Sequence, residues 1–238
     1  MYAERPPEPG LSDRVACGWH RVGETSFTQL VVPDACVDLI WGPGGLFVAG
    51  PDTGPMPTSV RAGDTLVGVR FRPGAVGDFF GLPLQELRDQ RVPLSDLPGR
   101  QHLLPELMDR PATSVEARLH AMQRAVARRL AVAGHDPAAP AMASALGKGH
   151  TVAQVAWRLG FSERQLQRRS LTSFGYTPKT LQRIVRFQHA LCLARAGVPL
   201  AEVAVTAGYT DQAHLANDVK RLSGVQMHRL VSPLRESA

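Results

Sequence analysis

The chain has 238 residues, with 44% hydrophobic and 20% charged side chains, an ordinary mix for a globular protein with room for two cores. No stretch approaches the roughly 18 apolar residues of a membrane span, which excludes an integral membrane protein of the helical kind. The formal charge of +6 is unevenly placed: residues 148–238 hold 13 Lys+Arg against 5 Asp+Glu while the remainder is slightly acidic, so a polyanion partner is expected for the C-terminal half alone.

The opening stretch MYAERPPEPGLSDR lacks the apolar run of a signal peptide. Cys17, Cys36 and Cys192 are odd in number and widely spaced, as reduced thiols are, so a cytoplasmic location is expected. Short apolar segments follow, divided by Gly/Pro turns. Val15–Val22, Phe27–Val32, Cys36–Trp41, Leu46–Ala49 and Thr65–Phe71 read as strands, with turn chemistry at Pro33-Asp34, Gly42-Pro43-Gly44-Gly45 and Gly50-Pro51-Asp52. Strands at this spacing predict an antiparallel sheet or small barrel. Beyond Arg72-Pro73-Gly74 the pattern becomes helical: residues 75–81 and 83–89 as short helices, 101–109 and 113–132 as longer ones.

Two side-chain groups stand out in the strands. On Cys36–Trp41, Cys36, Asp38 and Ile40 share one face. A carboxylate there is costly to bury unless paired, and Arg70 is the candidate partner. The pair is either a structural ion pair or a polar anchor in a ligand pocket, for which Cys36, Asp38 and Arg70 are the candidate residues. Cys17 and His20 lie three apart, on opposite faces of a strand, which argues against joint metal ligation; no metal site is assigned.

AGHDPAAP, within residues 133–140, reads as a linker and 141–147 as the first helix of a second domain, giving an α+β chain divided into 1–132, 133–140 and 141–238. In the second domain one pattern is written twice. TVAQVAWRLGFSERQLQRRSLTSFGYTP begins at Thr151, and PLAEVAVTAGYTDQAHLANDVKRLSGVQM begins at Pro199. Val155-Ala156 matches Val203-Ala204, Gly160 matches Gly208, Leu166 matches Leu215 and Gly175 matches Gly224. The offset is 48 residues, then 49 after one inserted residue. Each copy reads as helix, Gly turn, capped helix: a helix-turn-helix whose second helix enters the DNA major groove. Ser162 and Thr210 are the expected caps.

Outward on the first recognition helix lie Arg164, Gln167, Arg168 and Arg169; on the second lie Gln212, Ala213, His214 and Asn217, with Lys220 further along. Arg suits guanine O6/N7 and Gln or Asn suits adenine N6/N7. Between the copies, Leu181, Ile184, Val185, Phe187 and Leu191 keep helical periodicity up to Gly197 and Pro199. A helix there can hold the two recognition helices about one DNA turn apart. Its Lys179, Arg183 and Arg186, with Ser162, Arg169, Thr210 and Lys220, are candidates for phosphate contact.

On the two repeats, the connecting helix and Gly175-Tyr176-Thr177-Pro178, residues about 138–232 resemble the DNA-binding domain of the AraC/XylS family of bacterial transcription regulators. The resemblance implies an all-α domain of seven helices with two helix-turn-helix units, and base readout at Arg164, Gln167, Arg168, Gln212, Ala213 and Asn217. Ser170 departs from the family's large core aromatic, implying a looser first unit, and Met227 from its proline. Through VVPDACVDLIW, LFVAGPDT and GVRFRPG, residues 15–100 resemble the sensor domains of some actinobacterial-type AraC-like regulators. The expected partners are then double-stranded DNA, RNA polymerase, an unidentified small effector and a second copy of the chain. No phosphate loop, nucleophile elbow, Rossmann glycine run or HExxH is present, so no enzyme activity and no cofactor are assigned. Two alternatives stay open: a DNA-repair alkyl acceptor, which needs an activated exposed cysteine, and a nonspecific architectural DNA binder.

Overall fold

The computed structural model describes residues 1–98, 107 and 114–231. Its N-terminal part is antiparallel throughout. The strands are β1 Tyr2–Arg5, β2 Val15–Val22, β3 Phe27–Val31, β4 Val37–Gly42, β5 Gly45–Ala49, β6 Met56–Val60, β7 Thr65–Phe71 and β8 Arg91–Pro93. Six of them form one sheet in the order β1-β2-β7-β4-β5-β8, and β3 pairs with β6 as a separate ribbon.

The two-residue period of a strand divides this sheet into two faces. On central β7, Val67, Val69 and Phe71 are fully buried in the larger core. That core adds Leu39, Val48, the mutually packed rings of Phe71, Phe79 and Phe80, and Leu119, Met122 and Val126 of helix α1, Val115–Leu130. Ser114 caps α1 by accepting the Ala117 amide. Leu66, Gly68 and Arg70 alternate onto the other face. There Trp19 lies so close over Gly68 that a Cβ would come within 2.2 Å of its ring.

Seven further helices follow among the described residues: α2 Ala139–Gly147, α3 Val152–Arg158, α4 Glu163–Phe174, α5 Pro178–Arg195, α6 Leu200–Thr206, α7 Gln212–Ser223 and α8 Met227–Val231. They enclose a second core. Val155, Leu166 and Phe174 come from the first helix pair, Val203, Leu215, Val219 and Leu222 from the second, and Leu181, Ile184, Phe187 and Leu191 from α5 between them.

The two cores are joined by polar contacts, one of them buried. Tyr176 is fully buried, and its hydroxyl donates to the Asp52 carbonyl at 2.6 Å. Gln188 Nε2 donates to the Pro33 carbonyl, and Arg88 Nη1 donates to the Gly175 carbonyl at 3.2 Å. Gly175 itself has φ +77°, and a Cβ there would meet Pro51 at 2.7 Å; a left-handed turn and a close approach both require glycine.

Several sequence expectations are corrected. Residues 75–81 and 83–89 are turns rather than helices, apart from a single 3₁₀ turn at Leu84–Glu86. Gly77 and Gly81 take φ +62° and +74°, and Asp89 takes +59°, which a right-handed helix does not tolerate. Three strands escape a reading by apolar alternation: β1 is polar and lies on the sheet edge, β6 carries Pro57, and β8 has three residues. Cys36 precedes its strand, because Asp34 Oδ1 accepts the Cys36 amide in a turn through Ala35 at φ +63°. Helix α2 begins at Ala139, with Pro140 in its first turn, rather than at residue 141. The helix expected at 101–109 lies outside the described residues except for Leu107.

Ser170 does not loosen the first unit: fully buried, it donates to the Tyr176 carbonyl at 2.7 Å. After Gly224 the Ser223 hydroxyl accepts the Val225 amide, and Met227 is buried as α8 begins.

Tyr176→Phe keeps the ring and leaves the buried Asp52 carbonyl unpaired. It is expected to lower unfolding free energy by about 1–2 kcal/mol in chemical denaturation. A variant as stable as the parent would show that this bond across the two cores contributes nothing.

Candidate nucleic-acid interface

Each recognition helix is set in place by its ends. Ser162 accepts the Gln165 amide while the Gln165 side chain reaches back to the Ser162 amide, a reciprocal cap on α4. Asp211, not Thr210, caps α7, its carboxylate accepting the His214 amide at 2.7 Å. The residue inserted between the copies therefore falls before Asp211, and both helices run 12 residues from cap to left-handed glycine, Gly175 or Gly224. In this frame Arg164, Gln167, Arg168 and Arg169 correspond to Ala213, Ala216, Asn217 and Asp218. Ala216 was missed by pattern reading, and the Leu166–Leu215 offset was the signal that could have found it.

Arg164, Gln167 and Arg168 are exposed together on one face of α4. Gln212, Ala213, Ala216 and Asn217 are exposed on α7. His214 is only half exposed: its ring stands edge-on to Tyr209 at 5.1 Å, with Nδ1 3.4 Å from Thr210 Oγ1. Ser162, Lys179, Thr210 and Lys220 are exposed.

Three of the expected phosphate contacts are engaged within the protein. Arg169 pairs with Asp136 at 2.7 Å and stacks over Phe161. Arg186 pairs with Asp218 at 2.7 Å and lies over Tyr209, while Arg183 stands 3.7 Å from the same Asp218. Asp218 inside the basic half and Asp136 just before it are thus structural anions, unseen in the sequence because their partners are 32 or 35 and 33 residues away.

The third candidate group lies on the outer face of the sheet. Between that face and the β3–β6 ribbon is a cavity of about 430 Å³, floored by Trp19, Ile40 and Phe47 and walled by Val31, Met56 and Val60. Asp38 and Arg70 sit directly opposite each other on β4 and β7, Arg70 Nε donating to Asp38 Oδ1 at 3.2 Å and Trp19 Nε1 to the same oxygen at 2.7 Å. Asp34 and Glu4 also approach the Arg70 guanidinium, at 4.0 and 3.8 Å. At the other side Arg91 grips Asp52 through both nitrogens, at 2.8 and 2.7 Å, and Asp52 is the residue whose carbonyl holds Tyr176.

Burial raises the Asp38 carboxyl above its ordinary range, more than Arg70 lowers it. Burial also pushes the Cys36 thiol well up, with Asp34 adding to the effect, and Cys17 up to about 11. Neither thiol has the lowered pKa that an alkyl acceptor needs. Among the described residues no group of three His, Cys, Asp or Glu is placed to hold a metal.

Arg70→Ala removes the partner of a buried carboxylate. With Arg70 27% exposed, the expected cost is about 3 kcal/mol, the low end for a broken buried pair. Asp38→Asn, still able to accept from Trp19, is expected to cost less. Because the folded Asp38 holds its proton to higher pH than an unfolded one, its contribution favours folding below the ordinary Asp range and is lost as pH rises through the raised value. Parent and Asp38→Asn unfolding curves are therefore expected to converge or cross between acidic and neutral pH; parallel curves would contradict this.

Two family models match the chain: a domain of unknown function (DUF6597) over residues 3–93 and a helix-turn-helix domain over residues 155–230. A search of the curated proteins gives no match. Among solved structures, the C-terminal domain of AraT, a response regulator from Geobacillus stearothermophilus, is 20% identical, covering 43% of this chain and 93% of its own, with a TM-score of 0.38. ToxT from Vibrio cholerae is 10% identical over 92% of this chain and 97% of its own, TM-score 0.46. A ToxT structure bound to (E)-4-(8-methylnaphthalen-1-yl)but-3-enoic acid is 11% identical over 90% and 96%, TM-score 0.47. With a helix-turn-helix match over 155–230 and two such units built on one connecting helix, the C-terminal half of the chain is a helix-turn-helix DNA-binding domain.

Proposed function

We propose that the protein is a sequence-specific DNA-binding transcription regulator whose N-terminal part takes a small effector. The observation that carries this is the pairing of two capped recognition helices, both with exposed outer faces, on the single 18-residue helix α5. At 1.5 Å per residue α5 is about 27 Å long, and recognition helices packed beyond its two ends are set further apart, toward the roughly 34 Å between successive major-groove faces. Arg164, Gln167, Arg168, Gln212, Ala213 and Asn217 are the proposed base readers. Ser162, Lys179, Thr210 and Lys220 are the proposed phosphate contacts for which, among the described residues, no ion pair has to be broken. Arg169, Arg183 and Arg186 act first as scaffold, holding Asp136 and Asp218. The proposed division of the chain is a sensor at 1–132 and a DNA-binding domain at about 138–238. RNA polymerase and a second copy of the chain are the further partners this role would bring to a promoter.

The proposed effector site is the cavity between the sheet and the β3–β6 ribbon. Its central floor is apolar, its ribbon wall sets Val31, Met56 and Val60 beside Gln29, Thr58 and Ser59, and Arg70 and Arg91 are already paired with carboxylates of the protein. This favours a compact ligand held chiefly by apolar and aromatic contact, with the Asp38–Arg70 pair orienting it. Asp52 lies both in the cavity lining and against Tyr176, so an occupant has a direct route to the turn that follows α4.

A nonspecific binder gains nearly all its affinity from counterion release and does not discriminate sequences. Titration of the full chain on selected and random duplexes across salt separates the two readings. Arg168→Ala is expected to cost about 1–3 kcal/mol on the selected site and to relax preference at one or two base pairs, whereas Lys179→Ala weakens all sequences alike. Equal loss from Arg168→Ala on every duplex would make Arg168 a phosphate contact, and equal parental affinity for selected and random DNA would overturn the proposal.

A further inference from the structure

We infer that the two recognition helices read chemically unlike half-sites: α4 one that contains guanine, α7 one built of A·T pairs and read through thymine methyl groups and adenine edges. The inference rests on the DNA-binding role proposed above and adds what each half of the site must contain.

The argument starts from equivalence. Both helices have 12 residues, an N-cap side chain accepting an amide three residues on, and a left-handed glycine at the C-terminal end. Both bury the fourth helical residue, Leu166 or Leu215, against the same core. Helices that match in length, cap and buried stripe present matching positions to the groove. The cap at Asp211 fixes which positions these are, and they differ from a frame that takes Thr210 as the cap.

At those positions the chemistry diverges. In α4 they hold Arg164, Gln167 and Arg168, all exposed, and among the described residues none is in an ion pair. Two guanidinium forks four residues apart suit guanine O6 and N7, with the Gln167 amide between them for adenine. In α7 they hold Ala213, Ala216 and Asn217, also exposed. Two methyl side chains offer no hydrogen bond and allow a close approach, which fits the C5-methyl of thymine; of these three only Asn217 can make a two-point contact, to adenine N6 and N7, and the exposed Gln212 at the start of α7 suits the same base.

The flanking charges follow the same division. The position of Arg169 in α4 is taken in α7 by Asp218, which holds Arg186 at 2.7 Å and Arg183 at 3.7 Å. The cations of α5 nearest α7 are thereby turned inward, toward a carboxylate and the Tyr209 ring. The second unit discriminates largely by fit, while the first supplies more of the salt-dependent attraction.

The test is selection from random duplexes with the full-length protein, followed by titration of the selected site. The expected consensus has guanine in one half and A·T pairs in the other, about ten base pairs away. Asn217→Ala should lower affinity roughly 5- to 150-fold and erase preference at one adenine, leaving the guanine half unchanged. Replacing thymine by uracil removes only the methyl group; in the A·T half it should weaken binding about fourfold per contacted methyl, and in the guanine half it should be silent. Ala216→Gln, which imports the residue of the matching α4 position, should create a new adenine preference in the second half. Both altered residues, Asn217 and Ala216, are solvent-exposed, and unchanged thermal unfolding is the control. Two guanine-bearing halves, or uracil substitution without effect in both, would overturn the inference and leave the regulator role standing. Failure to select any sequence would overturn that role and this inference with it.

Discussion

Helix α5 is the constraint from which the rest of the C-terminal architecture follows. Its buried stripe of Leu181, Ile184, Phe187, Ala190 and Leu191 belongs at once to the core of both helix-turn-helix units. Sharing one rod and one core, the units cannot choose their separation independently. The first unit is fixed at the N-terminal end, where Thr177 caps α5 by accepting the Thr180 amide and Pro178 occupies the first turn. The second is fixed through Asp218, which two arginines of α5 hold from one side. The distance between the two recognition faces is thus a property of the fold rather than of a flexible linker, which distinguishes this chain from a pair of tethered DNA-binding modules.

Charge in this half does two different jobs. Asp136 and Asp218 withdraw Arg169, Arg183 and Arg186 from the free positive surface and use them to lock α4 and α7 in place. Arg164, Arg168, Lys179 and Lys220 remain exposed. The 13 Lys+Arg of residues 148–238 therefore overstate the cations that phosphates meet, since Arg183 and Arg186 are held by Asp218 inside the same half and Arg169 by Asp136 just outside it. The same arrangement occurs on the sheet, where Asp38, Asp34 and Glu4 surround Arg70. In both places a buried or half-buried carboxylate is kept by arginines that a sequence alone reads as available.

The recognition units were legible because their signals are local. Ser162, Gly160, Gly175 and the apolar spacing of Val155, Ala156 and Leu166 each act within a few residues. The strands were legible where apolar alternation marked a core face, as at Thr65–Phe71, and not where a strand is polar and peripheral, as at Tyr2–Arg5. Residues 75–89 have helical apolar spacing, but Gly77, Gly81 and Asp89 take left-handed conformations that apolar spacing does not report. The cap at Asp211 was obscured because Thr210 is also a capping residue and aligns with Ser162 at the earlier offset; only the helix itself shows where the inserted residue falls. Ser170 read as a weakness because its partner, the Tyr176 carbonyl, exists only once the chain has turned at Gly175. The Asp38–Arg70 pair needed no more than strand alternation to suggest, but the indole of Trp19 that completes it comes from the far side of Gly68.

The rigid spacing of the two recognition helices is tested most directly by changing the spacing of the DNA. On a selected site, five base pairs inserted between the half-sites turn one groove about half a helical turn away from the other. With both units fixed on α5, affinity for the altered duplex is expected to fall to that of an isolated half-site, because the second helix can no longer reach its groove. Unchanged affinity after the insertion would mean that the units engage DNA independently, and would contradict the account of α5 as the element that sets their geometry.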